Sequence, residues 1–294
     1  MIKRILLPLD GSRFAEAALP LAQSLAAADN VELHLVLVHE ALPSVDEKTY
    51  EELLTWARKG EDQYLSEAAA LIGTADNPCP HALLQGVPAE AIAQYAKEHA
   101  IDLLVLSTHG WGAVKRFWLG SVADRLIREC RAPVLLVRPA EDGTAITGIQ
   151  SILVALDHSG FGEAVLPIVV DLALTLDAEI KLLQVVQPHL QSQSIPEGYV
   201  TPWDPAIIEQ MSQEATAYVG AVAAGLRERG CQVVPRVAVG GVVADTILEQ
   251  AEQEADIVAL ATHGKEGVAR LLLGSVADKV IRGSRSAVLV ARPQ

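Results

Sequence analysis

Ser107-Thr-His-Gly110, nine residues, then Gly120-Ser121; and again Ala261-Thr-His-Gly264, nine residues, then Gly274-Ser275: the arrangement best suited to chemistry in this 294-residue chain is written twice. Gly110 and Gly264 permit a tight turn with positive φ and close approach of backbone to a ligand. Gly120-Ser121 and Gly274-Ser275 precede helical patterns, so their N–H groups have no intrahelical acceptor and the macrodipole favours negative charge there. Phosphate is the natural guest. Ser121 and Ser275 can add a hydroxyl donor, and no carboxylate comes before Asp124 or Asp278. The competing reading is an ordinary helix start kept by duplication for folding reasons alone. The intervening segments, 111–119 and 265–273, keep their length while their residues vary, which suits a loop that arches over something.

His109 and His263 invite a catalytic role, yet no Cys, second His or carboxylate accompanies either at triad or metal spacing. Lys115, Arg116, Lys265 and Arg270 could reach a terminal phosphate or simply be solvated. Asp10 and Asp157 end the first apolar run of each half, and Asp-Gly-Ser and Asp-His-Ser are also good helix-start signals. Neither GxxxxGK[ST] nor GxGxxG occurs, which removes the best-known NTPase and dinucleotide readings.

The elements that must position these residues repeat as well. Arg4–Ser12 recurs as Ser151–Ser159, GVPAEAI (86–92) as GVVADTI (241–247), and APVLLVRP (132–139) as SAVLVARP (286–293). Two domains are expected, 1–139 and 151–294, with 140–150 as linker. Short apolar runs alternate with helical patterns, the signature of a parallel sheet covered on both faces. Strands are expected near 2–9, 31–39, 81–84, 102–107 and 133–137, then near 152–156, 179–186, 233–237, 257–261 and 287–290. Helices should cover 47–72, 88–99, 119–130 and 206–229, and the stretch 188–205, with four Pro, should be irregular. Pro20 and Pro167 should kink or delay the first helix of each half. The last strand of each unit is apolar and expected at an edge, and an exposed apolar edge invites pairing. Further association into a homodimer stays open.

Composition sets outer bounds. Half the residues are hydrophobic and a fifth charged, a globular profile, while aromatics are only 4%. A net charge of −14 argues against nucleic acid and anionic membranes as partners. Cys79, Cys130 and Cys231 are scattered without CxxC spacing, as in a reducing compartment, and no signal or membrane-spanning run is evident; cytoplasm is the expected location.

Both units resemble the universal stress protein family, and the chain is similar to its tandem members over nearly its whole length. The family's ATP-binding subgroup carries G-x-x-G, nine residues, then G-S or G-T. Ser107 and Ala261 depart from this by replacing the first Gly, which would lower affinity if positive φ were needed there. The resemblance implies tandem Rossmann-like (HUP-type) α/β domains, each a five-stranded parallel sheet with helices on both faces, and, since family members associate through the last strand, that the two halves pair there within the chain like a fused homodimer. It implies that Asp10 and Asp157 face adenosine or its metal, that Val38 and Val185 hold the adenine edge through backbone groups, and that the rest of the motif carries the phosphates. That remainder comprises Ser107, His109, Gly110, Gly120, Ser121 and Val122, with Ala261, His263, Gly264, Gly274, Ser275 and Val276. The implied ligand is ATP with Mg²⁺, bound by a stress-linked sensor or regulator. The alternatives are a slow ATPase or nucleotidyl transferase of related fold, and a scaffold with non-functional sites.

Overall fold

In the computed structural model the described residues are 1–28, 30–39, 47–74, 77–108, 119–138, 148–187, 205–262 and 273–293, with backbone only for 47–57. The first half runs β1 (Arg4–Leu9), α1 (Arg13–Glu16), α2 (Leu19–Ala26), β2 (Glu32–His39), α3 (Glu47–Ile72), β3 (His81–Gln85), α4 (Pro88–Glu98), β4 (Leu103–Ser107), α5 (Ser121–Glu129) and β5 (Val134–Val137). The second runs β6 (Ser151–Leu156), a 3₁₀ turn (Gly162–Val165), α6 (Leu166–Leu176), β7 (Glu179–Val186), α7 (Pro205–Glu228), β8 (Val233–Val239), α8 (Val243–Glu254), β9 (Ile257–Ala261), α9 (Ser275–Gly283) and β10 (Ala287–Ala291). The linker beyond Val137 and the Pro-rich stretch 188–204 fall mostly outside the described residues.

The strands form one ten-stranded sheet in the order β3-β2-β1-β4-β5-β10-β9-β6-β7-β8. All neighbours are parallel except β5 and β10, which run antiparallel with Leu289 opposite Leu135 and Val288 opposite Leu136. Each half is thus a five-stranded parallel sheet, and the two are fused at their last strands. The near-continuous apolar runs of β1, β4, β5 and β10 follow from cover on both faces. One core carries Ile5, Leu7, Leu21, Leu25 and Leu65 with Ile152, Val169 and Leu289, and the other carries Leu6, Leu104, Leu126 and Leu136 with Leu153, Val258, Val280 and Val288. Each core crosses the junction, so both halves share it.

Local chemistry explains the element ends. Pro20 and Pro167 sit in the first turns of α2 and α6, where the missing N–H has no acceptor to lose. The chain therefore breaks before each of them, as a four-residue α1 in one half and a 3₁₀ turn in the other. Asp102 and Asp256, one residue before β4 and β9, perform the same task twice. Asp102 Oδ2 accepts from the N–H groups of Lys3 and Arg4 at 2.8 and 3.0 Å. Asp256 Oδ2 accepts from those of Gln150 and Ser151 at the same two distances. These staples fix β1 against β4 and β6 against β9, the strand pairs whose far ends bound the crevices considered next.

Candidate functional site

In an open parallel sheet the ligand crevice lies beyond the carboxyl ends of the strands, where strand order reverses. That point falls between β1 and β4 in the first half and between β6 and β9 in the second. Asp10 and Asp157 follow β1 and β6 directly, and both are exposed. Asp10 Oδ1 accepts from Ser12 N–H at 2.9 Å, and Ser12 Oγ in turn caps α1 by accepting from Ala15 N–H. The helix cap is therefore the serine, and the aspartate closes the turn before it. Asp157 does the same for Ser159 at 3.1 Å, with Ser159 Oγ accepting from Gly162 N–H at 3.0 Å.

Alternation along the strands sorts the remaining residues by face. Val38 and Val185 are half-buried near the ends of β2 and β7 and pack on the core that holds Leu6, Leu104 and Leu106, together with Val122. Thr108 and Thr262, next in line after Leu106 and Leu260 on that face, are 3% and 5% exposed, and their N–H groups donate to the carbonyls of Val137 and Ala291. Ser107 and Ala261 end β4 and β9 with side chains on the other face, where Ala261 packs against the opposite core. Neither has a positive φ, so the glycine they replace is not required by the backbone here. Ser107 Oγ is buried without a hydrogen-bond partner among the described residues.

The helix starts match their sequence expectation closely. Gly120 is the N-cap of α5 at φ −58, ψ 148, and Gly274 the N-cap of α9 at φ −59, ψ 149; neither receives a side-chain cap. Extended backbone at these glycines delays the first helix from the expected Leu119 to Ser121. The ladders begin with Asp124 N–H to Gly120 O and Asp278 N–H to Gly274 O, both 2.9 Å. By helix geometry the amides of Ser121, Val122 and Ala123, and of Ser275, Val276 and Ala277, have no intrahelical acceptor. His109, Gly110, His263 and Gly264 lie outside the described residues, as do Lys115, Arg116, Lys265 and Arg270. A groove of about 910 Å³, lined by Met1, Asp102, Arg131, Pro167, Asp171 and Arg292 among others, holds none of the predicted residues.

Sequence reading missed a second repeated feature beside each aspartate. Tyr64 Oη donates to Glu16 Oε1 and Tyr218 Oη to Glu163 Oε1, both at 2.9 Å, tying the turn after Asp10 or Asp157 to the long helix α3 or α7. Burial first, then the bond to Glu16 or Glu163 and the charge of Asp10 or Asp157, hold both phenols well above the ordinary tyrosine range. The signal was present: the two tyrosines and the two glutamates recur at the same offsets as the motif residues around them.

A model of the universal stress protein family matches residues 1–138 and again 148–292. A universal stress protein of Thermus aquaticus is 40% identical over 139 residues, covering 47% of this chain and all of that one. A universal stress protein of Mycobacterium bovis is 27% identical over 300 residues, covering 98% of this chain and 96% of the other. Among solved structures, a universal stress protein from Archaeoglobus fulgidus superposes with a TM-score of 0.74 at 19% identity, with 99% of each chain covered. One from Pseudomonas aeruginosa gives 0.66 at 18% identity, covering 99% of this chain and 94% of that one. These last two likenesses concern the fold alone.

Proposed function

The chain belongs to the universal stress protein family, and from that premise we propose that each half holds one adenine nucleotide, ATP with Mg²⁺, at the carboxyl end of its sheet. Membership supports a role in the stress response; nucleotide binding is the reading of the site itself. The observation that carries it is the pair of glycine-capped, side-chain-free helix starts of α5 and α9, set beyond the strand-order reversal in both halves. Triphosphate oxygens would take the amides of Ser121 and Val122 or Ser275 and Val276, with the serine hydroxyls as further donors. The backbone of Val38 or Val185 would meet the adenine edge, and Asp10 or Asp157 the ribose or the metal.

The fit is chemical as well as positional. Among the described residues no group of three or more His, Cys, Asp or Glu could hold a metal ion. Mg²⁺ is commonly held by one or two carboxylates together with substrate phosphates, so here it would arrive with the nucleotide. Ser107 and Ala261 have their side chains on the sheet face opposite Val38, Val122 and Val185.

Regulation by occupancy, with turnover absent or slow, suits this arrangement better than efficient catalysis. Among the described residues no helix is long and apolar enough to cross a membrane, and a cytoplasmic sensor is the setting proposed. The test is to denature freshly purified protein and assay the supernatant for adenine nucleotide, then offer Mg²⁺ and ATP to nucleotide-free protein. Release or uptake of ATP supports the reading. Neither would leave a scaffold with non-functional sites, and multiple turnover lost on removal of one side chain would favour the enzyme.

A further inference from the structure

The helices that start at the two phosphate positions also meet each other across the junction. Asp124 lies in the first turn of α5 and Arg128 one turn on; Asp278 and Arg282 repeat this in α9. Within each helix the pair is closed, Arg128 Nε to Asp124 Oδ2 at 2.9 Å and Arg282 Nε to Asp278 Oδ1 at 3.0 Å. Arg282 also reaches the other half, with Nη2 3.6 Å from Asp124 Oδ1. In the opposite sense Asp124, and more weakly Asp278 across the junction, holds the Arg128 guanidinium above its ordinary value. The C-terminal turn of one helix thus lies beside the N-terminal turn of the other.

Two strand-end arginines fasten this contact. Arg138, just after β5, donates from Nη2 to the carbonyls of Ile281 and Arg282 at the end of α9, at 2.6 and 2.8 Å. Arg292, just after β10, donates to Ile127 O near the end of α5 at 2.5 Å. Val137, the residue before Arg138, accepts from Thr108 N–H on the crevice face of the first half, and Ala291, before Arg292, accepts from Thr262 N–H in the second. Each crevice is therefore joined by a few covalent and hydrogen-bonded steps to the helix that begins the other.

From this arrangement we infer that the two nucleotide sites are negatively coupled through Arg128 and Arg282, an inference that rests on the nucleotide-binding reading above. Two guanidinium groups serve two first-turn carboxylates, and Arg282 stands beside both. An anion arriving at the start of α5 adds negative charge beside Asp124 and draws Arg282 along its 3.6 Å leg. As that leg shortens, the contacts of Arg282 with Asp278 lengthen, and the start of α9 loses part of its compensating positive charge. The same displacement runs in reverse when α9 is occupied first. These groups are about one-third exposed, with side chains of Arg282 and Asp124 at 34% and 31%. Solvent screening therefore places the coupling near the low end of the usual range, about five-fold.

The test is calorimetric titration of the full chain with ATP and Mg²⁺ at low ionic strength, read as the ratio of the two stepwise dissociation constants. Replacing both arginines, Arg128→Gln with Arg282→Gln, should narrow that ratio by about five-fold. About 1 M salt, where the Debye length is about 3 Å, should narrow it in the unaltered chain. Arg128→Lys with Arg282→Lys, which keeps the charges, should preserve most of it. If the glutamine pair fails to fold, the salt and lysine measurements carry the test. Two-step uptake with a ratio indifferent to salt and to substitution would overturn the coupling while leaving nucleotide binding in place. No uptake would overturn both.

Discussion

The two halves repeat the same turn after their first strand with different residues. In the first half Gly11 takes φ +76 with no described atom within 4 Å of where a Cβ would stand, and Ala15 stands three residues beyond the capping Ser12. In the second, His158 takes φ +61, and its ring stacks on Tyr218 at 4.0 Å and 12°. The residue in the place of Ala15 is Gly162, where an added Cβ would stand 2.5 Å from Asp157 Oδ1. One half relieves its backbone with a glycine; the other accepts left-handed strain, offsets it by stacking, and opens space for its aspartate elsewhere. A duplicated crevice can therefore keep its backbone path while the freedom of its carboxylate changes.

That comparison can be attacked first at what the halves share. Leu135 and Leu289 are each 0% exposed and oppose each other in the central strand pair. Leu135→Asp or Leu289→Asp should each cost more than about 3 kcal/mol in urea unfolding and loosen both halves to limited proteolysis. Unchanged protease resistance would count against the pairing. Next comes the turn itself. Gly162→Ala should cost about 1–3 kcal/mol because Asp157 must move, and should weaken nucleotide binding in the second half alone. The converse, Ala15→Gly, should cost only about 0.5–1 kcal/mol, through helix propensity. Equal penalties would erase the proposed difference.

His158→Ala keeps the left-handed backbone and loses the stacked ring, so a loss of about 0.5–1 kcal/mol in thermal unfolding is expected. The smallest effect concerns the base of the sheet, where His34 in the first half stands where the second has Lys181. Burial chiefly lowers the His34 pKa below 6.5, against the opposing pull of Glu32. The unfolded chain then binds the proton more readily than the folded one. Stability should be full above pH 6.5 and decline as pH falls through the lower folded value. Comparing unfolding from pH 7.5 to 5.5, His34→Gln should flatten this part of the profile relative to the unaltered chain. An unchanged slope would contradict it.

Much of this architecture was legible in the residues. Strands β7 and β9 have the bounds their apolar runs suggest, and the prolines mark where the first helices must restart, because these signals are local and periodic. What escaped was long-range. The Tyr64–Glu16 bond spans 48 positions and the Arg138–Ile281 bond 143, and no local pattern announces either. The orientation of Ser107 and Ala261 was within reach, since alternation from Leu104 and Leu106 puts them on the far face; reading them as motif positions obscured it. At the candidate site, the helix starts after Gly120 and Gly274 and the places of Asp10 and Asp157 after β1 and β6 agree with residue type and spacing, whereas the reach of Arg282 to Asp124 became visible only in the fold.

Equilibrium dialysis of the nucleotide-free chain against labelled ATP and Mg²⁺ at saturation counts ligands per chain directly. Two bound nucleotides are predicted, with one lost when Ser121→Glu places a carboxylate at the start of α5 and the other when Ser275→Glu does so at α9. A count of zero, or two nucleotides still held by the doubly substituted chain, would contradict the account.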